Sequence, residues 1–147
     1  MTRADLLAFL RSHKYAVQTS VGAGGQPQAA VVGIAVSDAF ELVFDTLETT
    51  RKARNLAENP RIAFVIGGDD GDERSVQFEG LAERPAGAQL EAARALYFSR
   101  FPDGQDRLAW PGLIHLLVRP TWLRYSDYNR NPPEILEYGS EALGTPS

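Results

Sequence analysis

Residues 42–67 read LVFDTLETTRKARNLAENPRIAFVIG, and the order of elements inside them decides the fold. The run FELVFDT places Phe40, Leu42 and Phe44 on one face of a strand that ends at Thr46. From Arg51 the apolar positions move to helical spacing, with Ala53, Leu56 and Ala57 as the inner stripe. Asn59-Pro60 stops that helix, because the residue before a proline is pushed out of helical geometry. RIAFVIGG then resumes a strand. The helix opens on two adjacent cations, Arg51 and Lys52, with no acid in its first turn. A helix N-terminus carries about half a positive charge, so a cation there costs roughly 0.3–1 kcal/mol.

Working outward, ADLLAFLRS carries Leu6, Leu7 and Leu10 at helical spacing and predicts a short helix. KYAVQTSV alternates and predicts a strand. GAGGQP lacks the GxGxxG order and opens no helix, so it reads as a hairpin turn. QAAVVGIAVS is apolar on both faces, as for a strand covered twice, either by the chain's own helix or by a second subunit.

Downstream, DDGDE is an acidic turn and RSVQFEGLAERP a long strand with a bulge or bend at Gly80. AGAQLEAARALYFSRF is the longest helix, with Leu90, Ala93, Leu96 and Tyr97 facing inward. PDGQDRLAWPG reads as a loop, and LIHLLVRPTWLRYSDY as a final strand kinked at Pro120. Six strands joined by links too short for parallel crossovers predict a mainly antiparallel sheet with flanking helices, closing into a six-stranded barrel. The expected division is a domain over residues 1–128 and an extended, partly disordered tail over 129–147.

The chain has 147 residues, enough for one domain with a real core. Net charge is −4, which argues against a nucleic-acid surface. There is no cysteine, which excludes disulfides, cysteine-ligated zinc and iron–sulfur clusters. No apolar run is long enough to span a bilayer, and MTRADLLAFLRSHKY lacks a signal-peptide core. A cytoplasmic location is the expectation.

Conventional catalytic constellations are sparse. His13 ends the first helix, and His115 sits between leucines of the last strand, as a packed histidine would. DDGDE is too short for a calcium loop. Arg94, Arg100 and Arg107 read as a solvated face, with contact to an acidic substrate as the alternative. The cation pair has two readings. It is a solvated helix end with Thr50 as N-cap, or it is an anion socket. In the second, Thr49 and Thr50 offer hydroxyls, the first turn offers amides, and a dianionic phosphate satisfies both charges.

The segment FDTLETTRKARNLAENPRIAFVI resembles the signature of the pyridoxamine 5'-phosphate oxidase-like superfamily of FMN-binding split β-barrels. The shared pattern is Thr46, then Thr50-Arg51-Lys52 at a helix start, then Asn59-Pro60-Arg61 leading into a strand. RSVQFEGLAE resembles the following strand of that family. The resemblance covers roughly residues 3–128 and implies an FMN-dependent oxidoreductase, with the flavin supplying the redox chemistry. It implies that Arg51 and Lys52 grip the FMN phosphate, with Thr50 donating a hydroxyl. Asp45 and Thr46 would lie beside the ribityl chain or phosphate, and Val31 and Val32 beside the isoalloxazine. Ser75 falls at a flavin-contacting glutamine of some relatives, and Gln77 is placed to supply that amide instead. The resemblance also implies a homodimer with FMN at the interface, where Trp110 or Trp122 would reach the partner's flavin.

The chain departs from genuine pyridoxamine phosphate oxidases at the substrate end. Their arginine and lysine in the strand matching QAAVVGIAV are missing. So is their C-terminal Arg-x-His, since RPTWLRYSDYNRNPPEILEY holds no histidine. The expected protein is a smaller relative with an undefined substrate. Alternatives are a non-catalytic flavin- or haem-binding protein, or a reductase using a deazaflavin coenzyme. No catalytic residue and no metal site is assigned.

Overall fold

The computed structural model describes residues 1–144. Helix α1 (Arg3–Arg11) is capped by Thr2, whose side chain accepts from the Asp5 amide while Asp5 accepts from the Thr2 amide. It buries Leu6, Phe9 and Leu10, one face of three turns. Strands β1 (Tyr15–Val21) and β2 (Pro27–Gly33) form an antiparallel hairpin, and β3 (Ala35–Val36) follows β2 after a single residue. Strand β4 (Leu42–Leu47) leads through a short loop into helix α2 (Arg51–Glu58), and β5 (Arg61–Gly67) follows.

Strand β6 (Arg74–Glu83) precedes helix α3 (Gly87–Arg100) and a 3₁₀ segment over Pro102–Ala109. The long strand β7 (Leu113–Asp127), strand β8 (Glu134–Gly139) and the short helix α4 (Ser140–Gly144) complete the described chain.

The sheet has eight strands, in the order β2-β1-β5-β6-β7-β4-β3 with β8 paired to β7. The six-stranded expectation undercounted by two. QAAVVGIAVS is two strands, because the chain leaves β1 at Gly33 and joins β4 at Ala35. That switch wraps the sheet towards closure, since β2 and β3 are its two ends and are consecutive in the chain. The second addition is β8, which lies along β7 in register from Asp127↔Glu134 to Trp122↔Gly139. Residues 145–147, also within the expected tail, lie outside the described residues.

The kink expected at Pro120 is a bulge. Glu79 pairs with Trp122 and Gly80 with Pro120, leaving Thr121 as the extra residue on β7. A Cβ on Gly80 would lie 2.5 Å from the Arg119 carbonyl oxygen, so only glycine permits this approach. The loop expected at PDGQDRLAWPG contains the 3₁₀ segment, started by Pro102 at its first turn.

Two apolar clusters result. The barrel interior holds Phe40, Phe44, Phe64 and Phe78, closed at one end by α1. The second lies on the outer side of β3, β4 and β7, beneath α3, around Val43, Ala93, Tyr97, Phe101 and Leu117. Arg3 ties α1 to α4: its guanidinium donates to the Ala142 and Leu143 carbonyls, each at 2.8 Å. No described helix is long and apolar enough to cross a membrane.

Candidate functional site: the N-terminus of helix α2

Thr50 is extended (φ −69°, ψ 156°), and its Oγ1 accepts from the Ala53 amide, as an N-cap does. The same hydroxyl donates to the Leu47 carbonyl at 2.9 Å and lies 2.9 Å from Thr46 Oγ1. A hydroxyl has one hydrogen, so Thr46 is the donor in the second contact. The Thr50 hydrogen therefore points back into the loop, and the outward donors are the Arg51 and Lys52 amides, which no helical carbonyl reaches.

Among the described residues Arg51, Lys52 and Arg54 make no ion pair, as is true of Arg3, Lys14, Arg61, Arg94 and Arg100, while Arg11, Arg74, Arg84, Arg107, Arg119, Arg124 and Arg130 do. Acids outnumber bases by 19 to 15, so a shortage of carboxylates is not the reason. The helix end combines free amides, a positive dipole end and two unpaired cations, the chemistry of an anion site.

The other expected residues divide between faces. Thr46 is buried and turned towards α2, but Asp45 is on the opposite side of β4. There its carboxylate accepts from Arg107 Nε at 2.9 Å and from the Tyr97 hydroxyl at 3.1 Å. Asp45 is committed beneath α3, not beside the cations.

Val32 is buried in the barrel and Val31, 67% exposed, faces outward. Val31, Val17, Val65 and Gln77 are aligned across β2, β1, β5 and β6. Ser75 lies on the same outer face of β6 as Gln77. Trp110 is 53% exposed. Its loop adjoins the β4–α2 loop, because the Glu48 amide donates to the Gly112 carbonyl at 2.8 Å.

His13 is hydrogen-bonded through its ring, whereas neither ring nitrogen of the buried His115 has a hydrogen-bond partner among the described residues. His13 lies 3.0 Å from the Phe9 carbonyl through Nδ1 and 3.1 Å from Asp69 through Nε2. His115 is paired with Asp45 across β4–β7 and buried against Tyr97 and Phe98 under α3. Burial pushes its pKa down, with Arg94 and Arg107 adding to that and Asp45 opposing it. Tyr97 is pushed up, first by burial and then by Asp45.

Sequence reasoning missed Asn55. Its Nδ2 donates to Ser20 Oγ at 3.1 Å and to Gln28 Oε1 at 2.9 Å, joining α2 to β1 and β2. The available signal was a polar residue beside the apolar stripe of α2, too common a pattern to single out.

An antiparallel sheet that wraps by strand switching, flanked by helices, defines a split β-barrel. The pyridoxamine 5'-phosphate oxidase family model matches residues 2–125, and the chain belongs to that family. A pyridoxine/pyridoxamine 5'-phosphate oxidase of Cupriavidus pinatubonensis is 31% identical over 132 residues, covering 84% of this chain and 59% of the relative. The chain spans 41–59% of the length of the curated relatives it matches.

Among solved structures, a heme binding protein from Mycobacterium smegmatis superposes with a TM-score of 0.83 at 20% identity, over 98% of this chain and 60% of that one. A pyridoxamine 5'-phosphate oxidase-related, FMN binding protein from Nostoc punctiforme gives 0.73 at 16% identity, over 92% and 87%. These likenesses establish the fold.

Proposed function

We propose that this chain binds FMN and serves as a flavin-dependent oxidoreductase, with the FMN phosphate at the N-terminus of α2. The observation that carries this reading is the partner-free pair Arg51 and Lys52 on a helix end with free amides. Arg51 and Lys52 would hold the phosphate, and β2 at Val31 and Val32 would border the ring. Bound flavin supplies two-electron redox chemistry, and the protein's part is grip, orientation and exclusion of water.

We propose a homodimer as well. The outer sheet face carries exposed Val17, Val31 and Val65 in one row, an apolar surface suited to a second copy. The substrate we place outside pyridoxamine phosphate, because β2 (PQAAVVG) offers neither the arginine nor the lysine of the genuine oxidases.

Haem binding is the second reading, favoured by likeness to the Mycobacterium smegmatis protein. Against it, His115 is 2% exposed and His13 is held at both ring nitrogens, so neither is free to ligate iron. The test is the absorbance spectrum of purified protein with mass analysis of the released group. The double substitution Arg51→Ala, Lys52→Ala should abolish FMN retention. Unchanged flavin content in that variant would refute the phosphate site.

A further inference from the structure

We propose that Asn55 is a positioning residue that sets the distance between the anion-binding end of α2 and strand β2. The inference rests on the FMN reading above. Strand β2 ends the sheet order, so β1 is its one ladder neighbour. Its other side faces the seam. Asn55 is one turn beyond Arg51 on α2 and gives both amide hydrogens to the cross-strand pair Ser20↔Gln28. Gln28 in turn lies three residues before Val31 on the same strand. The connection therefore runs from the cation pair, through one turn of helix and one amide, to the strand proposed to border the ring.

A ligand that touches both ends of a site gains affinity only when the two ends are held at its own length. FMN is such a ligand. Riboflavin reaches only the ring end, and inorganic phosphate only the cation end. Loss of the strut should penalise FMN and spare the two single-ended probes.

The experiment measures FMN and riboflavin binding by flavin fluorescence, and phosphate as a competitor of FMN, on the intact chain. Asn55→Leu should weaken FMN about tenfold or more while riboflavin and phosphate change by less than about twofold. Gln28→Leu breaks the same link from the β2 side, should behave alike, and serves if Asn55→Leu fails to fold. The double variant should be no weaker than either single one. Ser20→Ala keeps the Asn55–Gln28 bond and should bind FMN as the parent does.

Equal losses for all three ligands, an unchanged FMN affinity, or a Ser20→Ala loss as large as that of Asn55→Leu would overturn the strut. Parent protein that binds no FMN sinks the flavin reading itself. Parent protein that loses FMN on Arg51→Ala, Lys52→Ala but ignores Asn55→Leu sinks the strut alone.

Discussion

Asp45 and Thr46 are consecutive on β4 and serve opposite faces of the sheet. The Asp45 carboxylate is clamped by Arg107 and Tyr97 beneath α3, while the Thr46 hydroxyl supports Thr50 at the start of α2. The two-residue period of a strand forces this division. It means that the cover formed by α3 and the 3₁₀ segment fixes the same strand end that leads into α2.

Removing Arg107 should therefore destabilise the whole domain. Asp45 would be left as a charge with only a phenol for company, 14% of its side chain exposed. Arg107→Ala should cost about 2–4 kcal/mol, as for a broken buried pair. Adding Asp45→Asn should recover part of that loss. Urea unfolding of the single and double variants checks both statements.

Stability should fall with acidification through His115. Its folded pKa is below the ordinary 6.5, so between the two values the unfolded chain binds the extra proton. The contribution is fully present above about pH 6.5 and is lost as the pH falls through the folded value. His115→Phe keeps a ring against Tyr97 and Phe98 and should flatten that part of the curve. Thermal melts of both proteins from pH 7.5 to 5 measure the difference; parallel curves would contradict it.

The cations of α2 should work against stability. Arg51→Ala, Lys52→Ala removes two charges from a positive helix end and should raise ligand-free stability by about 0.5–1.5 kcal/mol. The same variant is expected to lose FMN. Opposite signs in one protein mark a functional residue pair, and denaturant titration without added flavin gives the first sign.

The outer sheet face should respond to charge. Val65 is 49% exposed and ends the row Val31, Val17, Val65. Val65→Lys should shift the chain from dimer to monomer on size-exclusion chromatography with its melting transition retained. A parent protein that elutes as a monomer would refute the proposed dimer, and an unshifted variant would refute this face as its interface.

Much of this was readable in advance, for local reasons. Asn59-Pro60 fixed the end of α2, and Thr50 with Arg51 and Lys52 marked its start, because caps and breakers act within a few residues. The split of QAAVVGIAVS was not readable. Gly33 and Ile34 look like strand interior, and the change of partner from β1 to β4 is set by tertiary geometry. β8 was obscured by a proline- and glutamate-rich segment whose pairing depends on distant β7. The partners of Asp45 were not readable, because Arg107 and Tyr97 come from the 3₁₀ segment and α3, more than fifty residues away in the chain. Asn55 depended on Ser20 and Gln28 coming together across a hairpin, which no spacing within α2 reveals.

The bond from Arg3 to Ala142 spans 139 positions. Beside that bond Leu143, 1% exposed, packs into the barrel core. Loss of the Arg3 guanidinium would loosen α4 and leave an apolar gap where Leu143 sits, so a single side chain at the start of α1 keeps the far edge of the core sealed.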